Sequence, residues 1–243
     1  MMRLVIVLFL VLLLREFVFW LTHRDPLTED EIRLLSQKRR ISYILQKYDH
    51  FAHEEVRVDK SFKSKLEPNG RWYELHEPLR TFPSFVAGLL KYKKHEWVVI
   101  ALEKDGAVIK IWVNKGTDNG SASFNVTLDE IIRISEEIGA CTAMRFHNHP
   151  NPDPQHYDCL MPSDQDIVSA AFCSSFVNKA GVNWLDFVCE RGRFQRYYVS
   201  ISPDYIPPGA SVEEIKDCNG VSPYMNYRLH MELRLLRFLS MPK

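Results

Sequence analysis

Residues 96–113 read EWVVIALEKDGAVIKIWV, and this stretch decides the fold class of the chain. Two runs rich in Val, Ile and Trp flank the turn signal KDG at 104–106, which is typical of a tight connection between antiparallel strands. The stretch therefore predicts a β-hairpin with strands over 96–103 and 107–113.

Helices and strands are expected to alternate after this hairpin. The helices predicted there cover 127–138, with Gly139 as a stop, and 163–179. The strands predicted there cover 141–149, 182–189 and 194–200. The order β-β-α-β-α-β-β predicts an α/β domain with a mixed β-sheet flanked by helices.

Before the hairpin, the chain is expected to hold helices and a linker. Residues 57–80 are polar and are interrupted by the sequence PNG at 68–70, so they predict a linker with at most short strands. Thr28 followed by Glu31 predicts the capped start of a helix. The expected organisation is an anchor helix over 1–23, a helical and polar linker region over 24–71, the α/β domain over 72–205 and a helical tail over 206–243.

The composition of the 243 residues excludes several classes of protein. Hydrophobic residues make up 46%, which argues against wholesale disorder and against a collagen-like rod. The 31 Lys and Arg residues balance 31 Asp and Glu residues, so the chain lacks the strongly basic character typical of nucleic-acid binding. Five cysteines without a CxxC pair favour reduced thiols in the cytoplasm over a disulfide scaffold.

The N-terminal segment is apolar enough to predict a membrane anchor. Residues 4–14 form an unbroken apolar run, Arg15 and Glu16 interrupt it, and residues 17–21 resume it. No small-residue cleavage signal follows, so we expect an uncleaved anchor through residues 1–21 rather than a secretory signal. Basic residues are more numerous after the segment, which predicts that the rest of the chain lies in the cytoplasm. The alternative is a buried or surface-lying helix of a soluble cytoplasmic protein.

Two short motifs carry the chemistry that the sequence predicts. Residues 145–150 read RFHNHP, so His147 and His149 project to the same side of one predicted strand. Asp166 lies three residues after Ser163, at the start of the next predicted helix, where its carboxylate can face back toward the strand. Two imidazoles and one carboxylate are typical of a catalytic zinc site with an open fourth position. The simpler alternatives are two structural histidines and a helix-capping Ser-x-x-Asp.

In combination, these motifs resemble the JAMM (MPN-type) metalloprotease motif, which is H-x-H-P, a spacer and S-x-x-D. The similarity to JAB domains of RadC-like and deubiquitinase-like bacterial proteins covers about residues 93–202, including the order of elements. The zinc ligands that the resemblance implies are His147, His149 and Asp166. By the same resemblance, Ser163 would stabilise the tetrahedral intermediate. Glu96, at the start of the first predicted strand, would move a proton from the attacking water to the leaving amine.

Two features leave part of this assignment open. Strand alternation puts Glu96 and Glu103 on opposite faces, so only one of them can point at a metal. Glu103 adjoins a hairpin turn, where an exposed carboxylate is expected. The spacer over 151–162 is longer than is usual for the family and could shape access to the site. A second metal site is conceivable within this spacer, at His156, Asp158 and Cys159.

The resemblance implies hydrolysis of an isopeptide or peptide bond in a protein or peptide substrate, such as a conjugate of a ubiquitin-like protein. One alternative is a RadC-like protein that has the same metal site and a role near DNA. The chain lacks a helix-hairpin-helix unit before the domain, which argues against that role. Another alternative is a catalytically silent, membrane-tethered scaffold that binds partners through the tail helix.

Overall fold

A computed structural model describes residues 2–117, 126–150 and 160–240, and the chain forms two compact units. The larger unit contains residues 47–205. The smaller unit contains residues 1–46 and 206–243. The expected anchor, most of the first amphipathic helix and the tail therefore belong to the same unit.

A six-stranded mixed sheet is the centre of the larger unit. Its strands are β1 (Asn69–Pro78), β2 (Trp97–Lys104), β3 (Ala107–Lys115), β4 (Thr142–Asn148), β5 (Asn183–Glu190) and β6 (Arg193–Ser200). Their order across the sheet is β1-β3-β2-β4-β5-β6, with β4 and β5 parallel and all other neighbours antiparallel. The structure thus confirms an α/β fold with a mixed sheet, and each predicted strand is present in the expected order.

Strand β1 is a feature that the sequence analysis does not predict. The expected linker over 57–80 is wrong for Asn69–Pro78, which pair with β3 at the edge of the sheet. Gly70 lies at a register shift with a φ of +82°, and Pro78 ends the strand. A bulge glycine and an edge proline are compatible with an outer strand, although the same residues are typical of loops.

Helices α4 (Phe82–Leu90), α5 (Leu128–Ile138) and α6 (Asp164–Val177) cover the two faces of the sheet. A short helix, α3 (Lys60–Lys65), contacts α4, with the ring centroids of Phe62 and Phe85 5.6 Å apart. On one face, Ile131 of α5 and Val177 of α6 share a core with Ala143 of β4. On the other face, Phe82 of α4 meets Phe146 of β4 edge-on, with ring centroids 5.6 Å apart. Because side chains alternate along a strand, His147 lies on the α6 face of β4.

The connection from β4 to β5 places α6 next to the end of β4. Parallel strands need a crossover, and α6 with a following 3-10 turn over Asn178–Ala180 supplies it. Ser163 caps the first turn of α6, and Asp166 in that turn lies 3.3 Å from His147 at the end of β4. The first turn of this helix is therefore positioned to face His147 across a short gap.

The smaller unit is helical. Its helices are α1 (Met2–Thr22), α2 (Glu29–Tyr48, except its last two residues), α7 (Val212–Cys218) and α8 (Pro223–Leu239). Its buried core contains Leu27, Ile32, Leu35, Ile215, Leu229 and Leu233. The predicted cap at the start of α2 is confirmed: Thr28 N–H donates to Glu31 at 3.2 Å, and Glu31 N–H donates back to Thr28 Oγ1 at 3.3 Å.

Helix α1 is long and apolar enough to cross a membrane, by length and composition alone. Signal sequences and core helices of soluble proteins can have the same length and composition. No residue of the candidate segment, Val5–Thr22, is buried.

Candidate metal centre

His147, His149 and Asp166 converge at one end of β4. The two histidine Nε2 atoms are 3.1 Å apart. His147 Nε2 is 3.3 Å from Asp166 Oδ1, and His149 Nε2 is 3.4 Å from Asp166 Oδ2. All possible ligand atoms of the three residues lie within 4.8 Å of one another, so the cluster could hold a metal ion.

Local structure explains why these three side chains meet. His147 is the last but one residue of β4 and is 3% exposed, while His149 follows the strand and is half-buried. Asp166 is the third residue of α6. Ser163 N–H and Ser163 Oγ both donate to Asp166 Oδ2 at 2.7 Å, and Asp166 N–H donates back to Ser163 Oγ at 3.2 Å. The capping alternative from the sequence is therefore real, and the same carboxylate also meets both histidines.

The negative charge of Asp166 and a positive charge on His149 stabilise each other. Burial alone would raise the pKa of Asp166, but hydrogen bonds from His147 and His149 outweigh it and hold this pKa well below its usual range. The hydrogen bond to Asp166 raises the pKa of His149, while burial opposes this effect. An ionised carboxylate at this position is the protonation state that a metal ligand needs.

Two further carboxylates flank His149 across the sheet. Val98 of β2 pairs with His147, and the same register carried two residues further places Glu96 opposite His149. In the parallel pair of β4 and β5, the register carried one residue beyond the strand end places Glu190 opposite His149 on the other side. Both carboxylates add to the raised pKa of His149, in agreement with this placement.

Glu190 is a site residue that the sequence analysis misses. It is half-buried at the end of β5, and burial raises its pKa against the opposing charge of Arg191. The hairpin that contains Glu190 was predicted, but its alignment beside β4 depends on the crossover through α6. No local pattern in the sequence indicates that alignment.

Asn148 ties the start of β2 to the end of β4. Its side chain is buried; Oδ1 accepts from Trp97 N–H at 2.9 Å and Nδ2 donates to His95 carbonyl oxygen at 3.2 Å. These two partners are the residues on either side of Glu96. The amide side chain therefore replaces the strand pairing that ends at this point and fixes the backbone that carries Glu96.

A buried ion pair between Arg145 and Asp186 lies on the same face of β4 as His147. Arg145 lies two residues before His147 on the same face of β4, and its Nε donates to Asp186 of β5, which is fully buried. Arg145 Nη1 also donates to Ser169 Oγ on α6 at 2.7 Å. Because Arg145 joins β4, β5 and α6, it holds the helix that carries Asp166 against the strand that carries the histidines.

The structure places Glu103 far from this cluster, and the expectation of an exposed carboxylate is wrong. Glu103 is 0% exposed, is 2.9 Å from Lys47 Nζ and accepts from Gly106 N–H at 2.7 Å. It pairs with Thr142, at the opposite end of β4 from His147. The turn N–H and the lysine provide partners for the carboxylate, which makes its burial tolerable.

Comparisons with protein-family models, with curated proteins and with solved structures found no match to this chain. The resemblance to JAMM proteins stays a prediction that rests on the motif residues and the order of elements. The hypothesis of a second metal site at His156, Asp158 and Cys159 falls on residues 151–159, which are outside the described part of the chain.

Proposed function

We propose that this protein is a zinc-dependent metallohydrolase of the JAMM type that cleaves an isopeptide or peptide bond in a protein or peptide substrate. A conjugate of a ubiquitin-like protein is the substrate class that the resemblance implies. One observation carries the proposal: two histidines and an aspartate converge at a strand end, with Glu96 opposite His149. The order β-β-α-β-α-β-β around the cluster, which is the order that the resemblance implies, supports the proposal.

The donor atoms suit zinc in type and in spacing. Zinc accepts imidazole nitrogen and carboxylate oxygen, and its catalytic sites keep a fourth position for water or substrate. Ligand atoms placed tetrahedrally about 2.0–2.1 Å from zinc would be about 3.3–3.4 Å apart. The two histidine Nε2 atoms are 3.1 Å apart, His147 Nε2 is 3.3 Å from Asp166 Oδ1, and His149 Nε2 is 3.4 Å from the other carboxylate oxygen, Oδ2.

The chemistry divides among the residues of the chain. Zinc held by the cluster would supply Lewis acidity that lowers the pKa of water and polarises a carbonyl group. Glu96 would accept a proton from the attacking water and deliver it to the leaving nitrogen as the C–N bond breaks, which yields a carboxylate and an amine. Ser163 would donate to the carbonyl oxygen as negative charge develops there. Its hydroxyl donates to Asp166 at 2.7 Å, so it would have to turn toward the substrate.

Glu190 is a second candidate for the proton acceptor. It lies on the other side of His149 from Glu96, and its raised pKa is a property that suits a general base. Glu96 is preferred because it occupies the position that the resemblance implies and because Asn148 fixes both of its neighbours. Separate Glu96→Gln and Glu190→Gln variants distinguish the two assignments.

Metal content of the full chain, purified in a neutral detergent, tests the site. We expect about one zinc per chain in the wild type and in Glu96→Gln, and none in His149→Ala. His76→Ala is the matched control, because His76 is exposed on β1, away from the cluster, and its loss should leave the zinc in place. A folded wild type that takes up no zinc when zinc is supplied would refute the metallohydrolase.

Hydrolysis of a panel of ubiquitin-like fusions tests the reaction. In zinc-loaded protein, Glu96→Gln should lower the rate by about 10²–10⁴-fold, the usual contribution of a general base. If Glu190→Gln shows that loss and Glu96→Gln does not, the base is Glu190. A zinc-loaded protein that cleaves none of these substrates, nor linear peptides, would favour the silent scaffold over the hydrolase.

A further inference from the structure

A groove runs between α1 and α8 within the smaller unit, with a volume of about 730 Å³. One part of its lining is aromatic and aliphatic, and another part is cationic. The residues that define it here are Phe19, Leu235, Phe238, Arg15, Arg234 and Arg237. An apolar channel with arginines beside it is suited to an amphiphile with a negatively charged end.

The arginines that line the groove outnumber the carboxylates that line it. Glu16 is shared, at 3.5 Å from Arg15 and 3.4 Å from Arg234. The other carboxylate in the lining, Glu31, caps the start of α2. Arg237 is exposed and forms no ion pair within the described residues. An anion bound between the arginines would therefore meet the guanidinium group of Arg237, unpaired within the described residues, and two guanidinium groups, those of Arg15 and Arg234, that share a single carboxylate.

Contacts of α8 set the depth to which α1 can enter a membrane. The end of α1 packs on α8 through Phe19, whose ring centroid is 5.8 Å from that of Tyr227. His23, which follows α1, has its ring centroid 5.3 Å from that of His230. Charged residues along α8 make burial of that helix in hydrocarbon expensive. Only the apolar run before Arg15 is then suited to the bilayer core. That run covers about 17 Å of a core about 30 Å thick.

This arrangement brings Arg15 to the level where apolar chain and water meet. The apolar residues 5–14 are exposed, whereas Glu16 and Phe19 are half-buried beside α8. Arginines at such a boundary direct their guanidinium groups toward lipid phosphates. The groove opens at the same level, since Arg15 is part of its lining.

We propose that the groove between α1 and α8 binds the phosphate of an anionic membrane phospholipid. Arg15, Arg234 and Arg237 would hold the phosphate, and an acyl chain would lie along Phe19 and Phe238. An inorganic phosphate would use the arginines but would leave the exposed side chain of Phe238 uncovered. This site is independent of the proposed hydrolase, since it lies in the other unit of the chain.

The test uses the full chain in a neutral detergent, titrated with phosphatidylglycerol that has brominated acyl chains. Bromine quenches nearby tryptophan fluorescence, and Trp20 is the one tryptophan of the smaller unit, so Trp20→Phe identifies the local signal. We expect saturable quenching of Trp20 by the anionic lipid. Brominated phosphatidylcholine should bind about tenfold more weakly or worse, because its headgroup adds a cation to the site.

Two arginine variants on α8 make the test specific. Arg237→Gln should raise the dissociation constant about tenfold or more, since it removes one charge-assisted bond to phosphate. Arg228→Gln is the matched control, because Arg228 lies over the Tyr224 ring and does not line the groove. Equal quenching by both lipids, or equal effects of both variants, would overturn the proposal. Displacement of the lipid by millimolar inorganic phosphate would also overturn it, because the site would then belong to free phosphate.

Discussion

Replacing either partner of the buried ion pair of Lys47 and Glu103 should destabilise the larger unit strongly, and the two replacements together should cost less than the sum of their separate effects. Glu103 is 0% exposed, the Lys47 side chain is 8% exposed, and their charged atoms are 2.9 Å apart. Removing one partner of such a pair leaves an uncompensated buried charge, which costs about 3–5 kcal/mol. Gln at position 103 can still accept from Gly106 N–H, so we expect about 3 kcal/mol for Glu103→Gln.

This free energy converts into a large change in melting temperature. The larger unit has roughly 160 residues. For a domain of about this size, 1 kcal/mol shifts the midpoint by about 2–4 °C. Glu103→Gln should therefore lower the midpoint by about 6–12 °C. Zinc content should stay at the wild-type level, because Glu103 lies at the opposite end of β4 from His147.

A double-mutant cycle measures the coupling between the two residues. The variants are Glu103→Gln, Lys47→Met and the double variant, unfolded in urea and followed by the emission of the buried tryptophans Trp97, Trp112 and Trp184. The double variant should be more stable than the sum of the single effects predicts, with a coupling of about 2 kcal/mol. The reasoning is refuted if Glu103→Gln unfolds within about 0.5 kcal/mol of wild type or if the single effects simply add.

Three further predictions test other parts of the larger unit. Asn148→Ala should lower the hydrolysis rate about tenfold or more at unchanged zinc content, since Glu96 loses its backbone support; an unchanged rate would remove that role. Burial raises the pKa of Tyr48 to about 12, so the protonated hydroxyl contributes its full stabilisation below about pH 10, and this contribution is lost as the pH rises through 12. Between these pH values the thermal midpoint of Tyr48→Phe should fall less steeply than that of the wild type, and equal slopes would contradict this. Gly88→Ala should cost about 1–3 kcal/mol in urea unfolding despite the better helix propensity of Ala, because a Cβ would lie 2.3 Å from Val56 carbonyl oxygen. An unchanged free energy of unfolding would show that the backbone at Val56 shifts to accommodate the Cβ.

Features with short-range causes are predictable from this sequence. Strand alternation over two residues places His147 and His149 on one side, and the structure brings their Nε2 atoms within 3.1 Å. Helix capping over three residues links Ser163 to Asp166, and both hydrogen bonds of that box are present. Gly139 stops α5 with a φ of +70°. Each of these patterns depends on backbone geometry within one turn or one strand.

Features with distant partners are not predictable in this way. Glu103 was expected on the surface beside a turn, yet Lys47, which is 56 positions earlier in the chain, neutralises it in the interior. Residues 69–78 resemble a loop in composition, and β3 makes them an edge strand by pairing with them. In both cases the residue types are compatible with an exposed or unpaired state and with a paired state in the fold. A partner that is distant in the sequence determines which of the two forms.

The division between the two levels is clearest at the candidate metal centre. Spacing in the sequence predicts that His147, His149 and Asp166 come together, because the motifs are local and their geometry follows from a strand end and a helix start. Sheet register places Glu96, just before β2, and Glu190, at the end of β5, on either side of His149, and it places Glu103 at the other end of β4. Register depends on how separate strands align, and that alignment arises from packing of the whole sheet and its helices, which no short pattern encodes.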